Sequence, residues 1–187
     1  AFQGRQSTGR FFFLQEADDR VDENDGQNRR RVDPFAHRAG ENSGDDQDPD
    51  DERLELARLA KEVIGKRTAL IIGTGAIRLP DSIKVAETAA KIGADAILVG
   101  SPPYAVPTEQ ENALNALAID RAADLPIMLY NYPGRMGINM GEDFLNRVGR
   151  SRNFCAIKES SGDINRVHLL ARDYPHIQMS CGMDDQA

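Results

Sequence analysis

The 187-residue chain has no tryptophan, only two cysteines and only three histidines. It also has no apolar run approaching the ~20 residues that cross a bilayer. Phe11–Leu14 (FFFL) is too short a block for the apolar region of a signal peptide. These absences argue against a membrane partner and for a cytoplasmic protein. Cys155 and Cys181 fall inside apolar runs without metal-ligand spacing, and read as reduced core residues. His37, His168 and His176 have no ligand spacing either. No metal site is expected. The net charge of −7 argues against nucleic acid as a partner.

A second absence divides the chain. Residues 1–52 contain no Lys, Ile, Met or Tyr, yet carry 14 Asp and Glu against 7 Arg. The remaining 135 residues are balanced, with 16 acidic and 16 basic side chains and a normal globular share of apolar ones. All of the excess negative charge therefore sits in the head. A stretch such as Asp45-Asp46-Gln47-Asp48-Pro49-Asp50-Asp51 has too little to bury to offset its ordering entropy. Residues 1–50 are accordingly expected to be irregular or disordered, either as a native acidic tail or through a frame or gene-model error. Residues 51–187 form the folded domain.

Within that domain short apolar runs alternate with amphipathic segments. The runs start at residues 68, 95, 126, 153 and 176, at the spacing of βα units. Helices are predicted over 51–66, 80–92, 108–123, 142–148 and 163–172. In the first, Leu54, Ala57, Ala60 and Ile64 form one face that Leu56, Leu59 and Val63 widen; in the second the face is Ile83, Ala86 and Ala90. Gly93 stops the second helix. The fold class is α/β, with a parallel sheet covered by helices. Periodicity leaves open a doubly wound sheet and a (β/α)8 barrel.

In both architectures chemistry gathers at the C-terminal ends of the strands. Four of the five lysines lie in helices or at a helix end. Lys158 alone closes an apolar strand. It either snorkels to solvent or is partly desolvated, and desolvation favours the neutral amine that can attack a carbonyl and form a Schiff base. Tyr130 closes the preceding strand, where it either fills the interior or relays protons to a neighbouring lysine. Arg135 follows a Pro-Gly turn and is either a solvated loop residue or a fork for a substrate carboxylate. Gly73-Thr74-Gly75 opens like a dinucleotide-binding loop, but Arg78 stands in place of the third glycine. Asp184 and Asp185 are adjacent, so a strand would point them to opposite faces.

These strand-end segments resemble, in order, the pyruvate-dependent class I aldolases of the dihydrodipicolinate synthase and N-acetylneuraminate lyase family. The matching stretches are ALIIGTGAI (69–77), KIGADAILVGSPPYAVPTEQE (91–111), LPIMLYNYPGRMGIN (125–139) and FCAIKESSGDINRV (154–167), with SCGMDDQA (180–187) resembling a Gly-Asp-Asp segment. The resemblance implies part of a (β/α)8 TIM barrel, about strands three to seven. It implies no cofactor beyond the covalent Schiff base at Lys158 with pyruvate or a 2-keto acid, and an aldehyde as second substrate. Tyr130 and Tyr104 are implied as the proton relay, with Tyr104 reaching across a subunit interface of a homotetramer. Arg135 is implied to bind the aldehyde's carboxylate, and Gly182 to line the site. Asn131 and Pro133 keep the family's Tyr-Asn-x-Pro turn.

The departures shape the expected activity. The family's threonine-rich loop after its second strand has no counterpart in residues 1–52, and Pro103 replaces an aromatic residue. The implied function is a lyase like 4-hydroxy-tetrahydrodipicolinate synthase, of lysine biosynthesis, with the chain as given incomplete, inactive and self-associating. Alternatives are an N-acetylneuraminate or 2-keto-3-deoxy sugar acid aldolase of the same family, and, from another class, a nucleotide-binding α/β protein.

Overall fold

In the computed structural model, residues 11–14 and 49–184 are described, with side chains over 52–184. Six strands and six helices follow one another: β1 (Phe11–Leu14), α1 (Pro49–Ile64), β2 (Ala69–Gly73), α2 (Leu79–Ile92), β3 (Ala96–Gly100), α3 (Glu109–Ala123), β4 (Ile127–Asn131), α4 (Pro133–Met136), α5 (Glu142–Val148), β5 (Phe154–Glu159), α6 (Ile164–Asp173) and β6 (Gln178–Cys181). Every predicted strand and helix of the domain is present within two residues. Two elements are additional. Phe11–Leu14, inside the segment expected to be irregular, is a strand pairing in parallel with β2. The Pro-Gly turn is a short helix, α4.

All neighbouring strands are parallel, and their order in the sheet is their order in the chain. That order decides the architecture. Right-handed crossovers that always step in one direction deliver each connecting helix to the same face. A doubly wound sheet needs a point where the order reverses, and none occurs among the described strands. The sheet is an arc of a (β/α) barrel, which removes the doubly wound alternative. No described helix is long and apolar enough to cross a membrane.

Period-2 alternation then sorts the strand residues. Leu70, Ile72, Ile97, Val99, Leu129 and Ile157 face the helices and join one large buried cluster with Val85, Ala113, Phe144 and Leu170. Ile71, Ala96 and Leu98 face the opposite way and pack with Met128 and Tyr130 in a small separate cluster. The second cluster floors the barrel interior, beneath the strand ends.

Two helix faces differ from the sequence prediction. On α1, Leu54 and Ala57 are buried, but Leu56, Leu59 and Val63 are exposed, so the apolar face is narrower than expected. On α2 the buried residues are Ser82, Val85, Ala86 and Ala89. α2 packs closely along α3, and Ile83 and Ala90 are only partly buried. Gly93 does end α2, in the left-handed conformation (φ 79°), its N–H bonded to the Ala89 and Ala90 carbonyls. A reciprocal capping box between Thr108 and Glu111 starts α3.

Candidate active site

Tyr130 and Lys158 are register partners on β4 and β5, one residue before the end of each strand. Both point to the inner face, and the Lys158 Nζ lies 4.4 Å from the centroid of the Tyr130 ring. The amine thus lies over the tyrosine ring, and the same ring packs against the inner cluster of Ile71, Ala96 and Leu98. The ring face attracts any cation at that nitrogen, ammonium or iminium alike. Gly100 is the register partner of Tyr130 on the other side and adds no side chain there. Ser180 flanks Lys158 on β6.

A local irregularity aims the lysine. Phe154 pairs with Ile127 and is buried in the helix-facing cluster, whereas Ala156 pairs with Met128. Cys155 is the extra residue of a β-bulge between those two pairs. Residues four apart in a regular strand share a face, so Phe154 and Lys158 would point the same way. The inserted residue puts Phe154 outside and Lys158 inside. The bulge leaves Cys155 half-buried, its Sγ 3.7 Å from the Ile127 carbonyl. Burial pushes its thiol above the ordinary thiol range. Cys181 is exposed, against the expectation of a core residue. It lies on the β6 edge, where nothing described covers it. Alkylation with iodoacetamide near neutral pH is therefore expected at Cys181 well before Cys155. The raised thiol holds less thiolate at any pH below its pKa. Peptide mass mapping over time checks the order.

Arg135 lies within α4, its guanidinium over the ring of Tyr132, 5.7 Å from the centroid. Tyr132 in turn is 6.0 Å from Tyr130, centroid to centroid. Two aromatic rings thus stand side by side, with the Lys158 amine over one and the Arg135 guanidinium over the other. Tyr104 is elsewhere. It lies in the loop after β3, 89% exposed and with a positive φ of 63°. The described residues do not bring it to the Tyr130–Lys158 pair.

Gly182 follows β6 and closes on the end of β5, its N–H donating to the Glu159 carbonyl at 2.8 Å. A Cβ at this position would lie 1.8 Å from the Ser160 hydroxyl and 2.9 Å from the Glu159 carbonyl oxygen. The serine side chain can rotate; the backbone oxygen cannot. Gly182→Ala must separate the two strand ends, and is expected to destabilise the fold by about 1–3 kcal/mol, as other overpacked sites do. Urea unfolding measures it.

Behind the strand ends lies a buried polar cluster that the sequence reasoning missed. Glu159 and Arg166 form an ion pair, Nε to Oε2 at 2.8 Å, with their side chains only 2% and 6% exposed. The Asn131 amide donates to both Glu159 oxygens at 3.0 Å, and the Ser161 N–H donates to Oε1 at 2.9 Å. The Asn131 side-chain Oδ1 accepts from the Met140 N–H, and Arg166 donates to the Met140 carbonyl. The signal was available. Alternation puts Glu159 on the same face as Ile157, and a carboxylate on a buried aliphatic face needs a cation.

The Gly73-Thr74-Gly75 segment does not make a phosphate loop. The Thr74 hydroxyl is buried and bonded to the Leu98 carbonyl. Gly75 has open space where a side chain would be, so no close approach requires glycine. α2 begins with Pro80 in its first turn, which removes an N–H donor, and Asp81 paired with Arg78 adds a carboxylate. Both features work against anion binding at that terminus. Among the described residues no group of three His, Cys, Asp or Glu lies together. His37 and Asp185 lie outside the described residues.

Residues 39–187 match the family model described as the dihydrodipicolinate synthetase family. The chain is 33% identical over 135 residues to the 4-hydroxy-tetrahydrodipicolinate synthase of Geobacter metallireducens, covering 72% of this chain and 47% of that protein. It is 35% identical over 137 residues to the enzyme of the same name from Clostridium perfringens, covering 73% and 47%. Among solved structures, a dihydrodipicolinate synthase of Bacillus anthracis aligns with a TM-score of 0.68 at 29% identity, over 72% of this chain and 47% of that one. A dihydrodipicolinate synthase of Acinetobacter baumannii complexed with pyruvate aligns at 0.66 and 31% identity, over 71% and 46%. The chain spans about half the length of the curated relatives it matches.

Proposed function

Because the chain belongs to the dihydrodipicolinate synthetase family, we propose that it carries the Schiff-base half of a pyruvate-condensing lyase active site, with Lys158 as nucleophile. The observation that carries this is the Lys158 amine over the Tyr130 ring at the C-terminal end of two paired strands. The neutral amine adds to the ketone carbon of pyruvate, and loss of water leaves an iminium cation. That cation takes the place of the ammonium over the ring. Loss of a methyl proton then gives an enamine, whose carbon attacks an aldehyde. Tyr130 relays these protons, and Tyr104 completes the relay from a neighbouring subunit. Its exposure, with that of Val106 in the same loop, fits a residue that works across an interface. Arg135, beside the aromatic pair, receives the aldehyde's carboxylate as a bidentate partner. Gly182 lines the site. The functional assembly is a cytoplasmic homotetramer using neither metal nor dissociable cofactor.

The complete reaction, that of a 4-hydroxy-tetrahydrodipicolinate synthase in lysine biosynthesis, belongs to the whole protein. The synthase reading is preferred to a sugar-acid aldolase because relatives of that name match at 33% and 35% identity. CdNal from Clostridium difficile, in complex with mannosamine, matches at 21% identity and shows the fold alone. Proton exchange tests the reading. Incubated with the protein in deuterium oxide, pyruvate should lose its methyl proton signal faster than in buffer. An exchange rate equal to buffer would contradict enamine formation.

A further inference from the structure

We propose that Glu159, held by Arg166 and Asn131, is a positioning residue that fixes Lys158 beside Tyr130; this rests on Lys158 being the Schiff-base lysine. The buried ion pair is not accounted for by stability. Apolar residues of similar volume in place of such a pair commonly leave a fold as stable or more so. What the pair does provide is geometry. The register partners Asn131 and Glu159 immediately follow Tyr130 and Lys158. Their side chains join on the outer face while the tyrosine and lysine meet on the inner one. Arg166 then ties that joint to α6 and to the Met140 backbone that leads into α5.

The bulge makes such a clamp necessary. A strand with one extra residue has a neighbouring register in which the bulge is absorbed, one residue away. That slip would carry Lys158 to the aliphatic outer face and bring Glu159 inside, since one residue of shift reverses every side chain. In the slipped register the Glu159 carboxylate loses Arg166, and the Arg166 guanidinium is left buried without its partner. The ion pair thus penalises the one error that would remove the nucleophile.

The test uses reductive trapping of pyruvate by borohydride on the 187-residue protein, with the adduct on Lys158 quantified by peptide mass spectrometry. The double variant Glu159→Gln with Arg166→Met removes both charges together, so neither is left unpaired. Asn131→Ser keeps the ion pair and removes the cross-strand joint. The limiting trapping rate per folded molecule should fall about ten-fold or more in each, the scale of a misplaced reactive group. The pyruvate concentration at half-saturation should change little. A general loss of fold would instead lower adduct yield in proportion to unfolded protein. An undiminished limiting rate in either folded variant would overturn the positioning role alone. No adduct in the parent protein would overturn the Schiff-base assignment and this role with it.

Discussion

Lys158→Arg is expected to abolish the pyruvate adduct while leaving the fold intact. Arginine keeps a cation over the Tyr130 ring, so the contact that packs the side chain survives. Its guanidinium stays protonated and offers no free amine to a carbonyl. Adduct formation should drop to the level of a protein without the nucleophile, with the unfolding midpoint close to that of the parent. Lys91→Arg, at an exposed position on α2, should change neither. Tyr130→Phe keeps the ring and removes the hydroxyl. It should leave some trapping but slow methyl proton exchange by about 10²–10⁴-fold, the usual contribution of a positioned proton-transfer group. The two variants separate the nucleophile from the proton relay, and intact-mass analysis with proton NMR reads both.

The largest stability effect is expected from Arg166→Met alone. Glu159 would then remain 2% exposed without the Arg166 guanidinium, the cation its carboxylate pairs with at 2.8 Å. Breaking a buried pair in this way costs about 3–5 kcal/mol, a large part of a typical domain's stability. The urea midpoint should fall accordingly. Arg58→Met is the contrast. Arg58 bridges Glu55 and Glu62 on the exposed side of α1, where solvent already screens the charges, and the midpoint should hardly move. Adding Glu159→Gln to Arg166→Met should recover most of the loss, because the unpaired charge rather than the missing contact causes it.

The sequence carried the βα alternation well because each helix–strand unit repeats one physical demand: an amphipathic helix covering an apolar strand. Strand order was out of its reach. Leu70 and Ile97 read equally well as residues of a doubly wound sheet, and only their pairing with neighbours in chain order selects the barrel. Lys158 and Tyr130 were legible as polar residues closing apolar strands, but their meeting also needed β4 and β5 to be neighbours, which only the structure supplies. The bulge at Cys155 was not, since an extra residue changes no composition and leaves the run FCAIK looking continuous. Alternation marked Glu159 as a carboxylate on a buried face, but nothing in its own segment marked Arg166 as the partner. Their pairing is a long-range event between a strand end and a helix. Cys181 read as core because an apolar run implies a buried strand, whereas β6 lies at the edge of the described sheet. Tyr104 lies exposed in the loop after β3, and the relay role proposed for it requires a neighbouring subunit.

The central claim is that Lys158 is the residue at which pyruvate becomes covalently bound. The direct measurement is peptide mass spectrometry after borohydride reduction in the presence of pyruvate. A three-carbon adduct on the peptide containing Lys158, absent without pyruvate and absent from Lys61, Lys66, Lys84 and Lys91, is the expected result. An unmodified Lys158, or label spread over the exposed lysines, would contradict the claim.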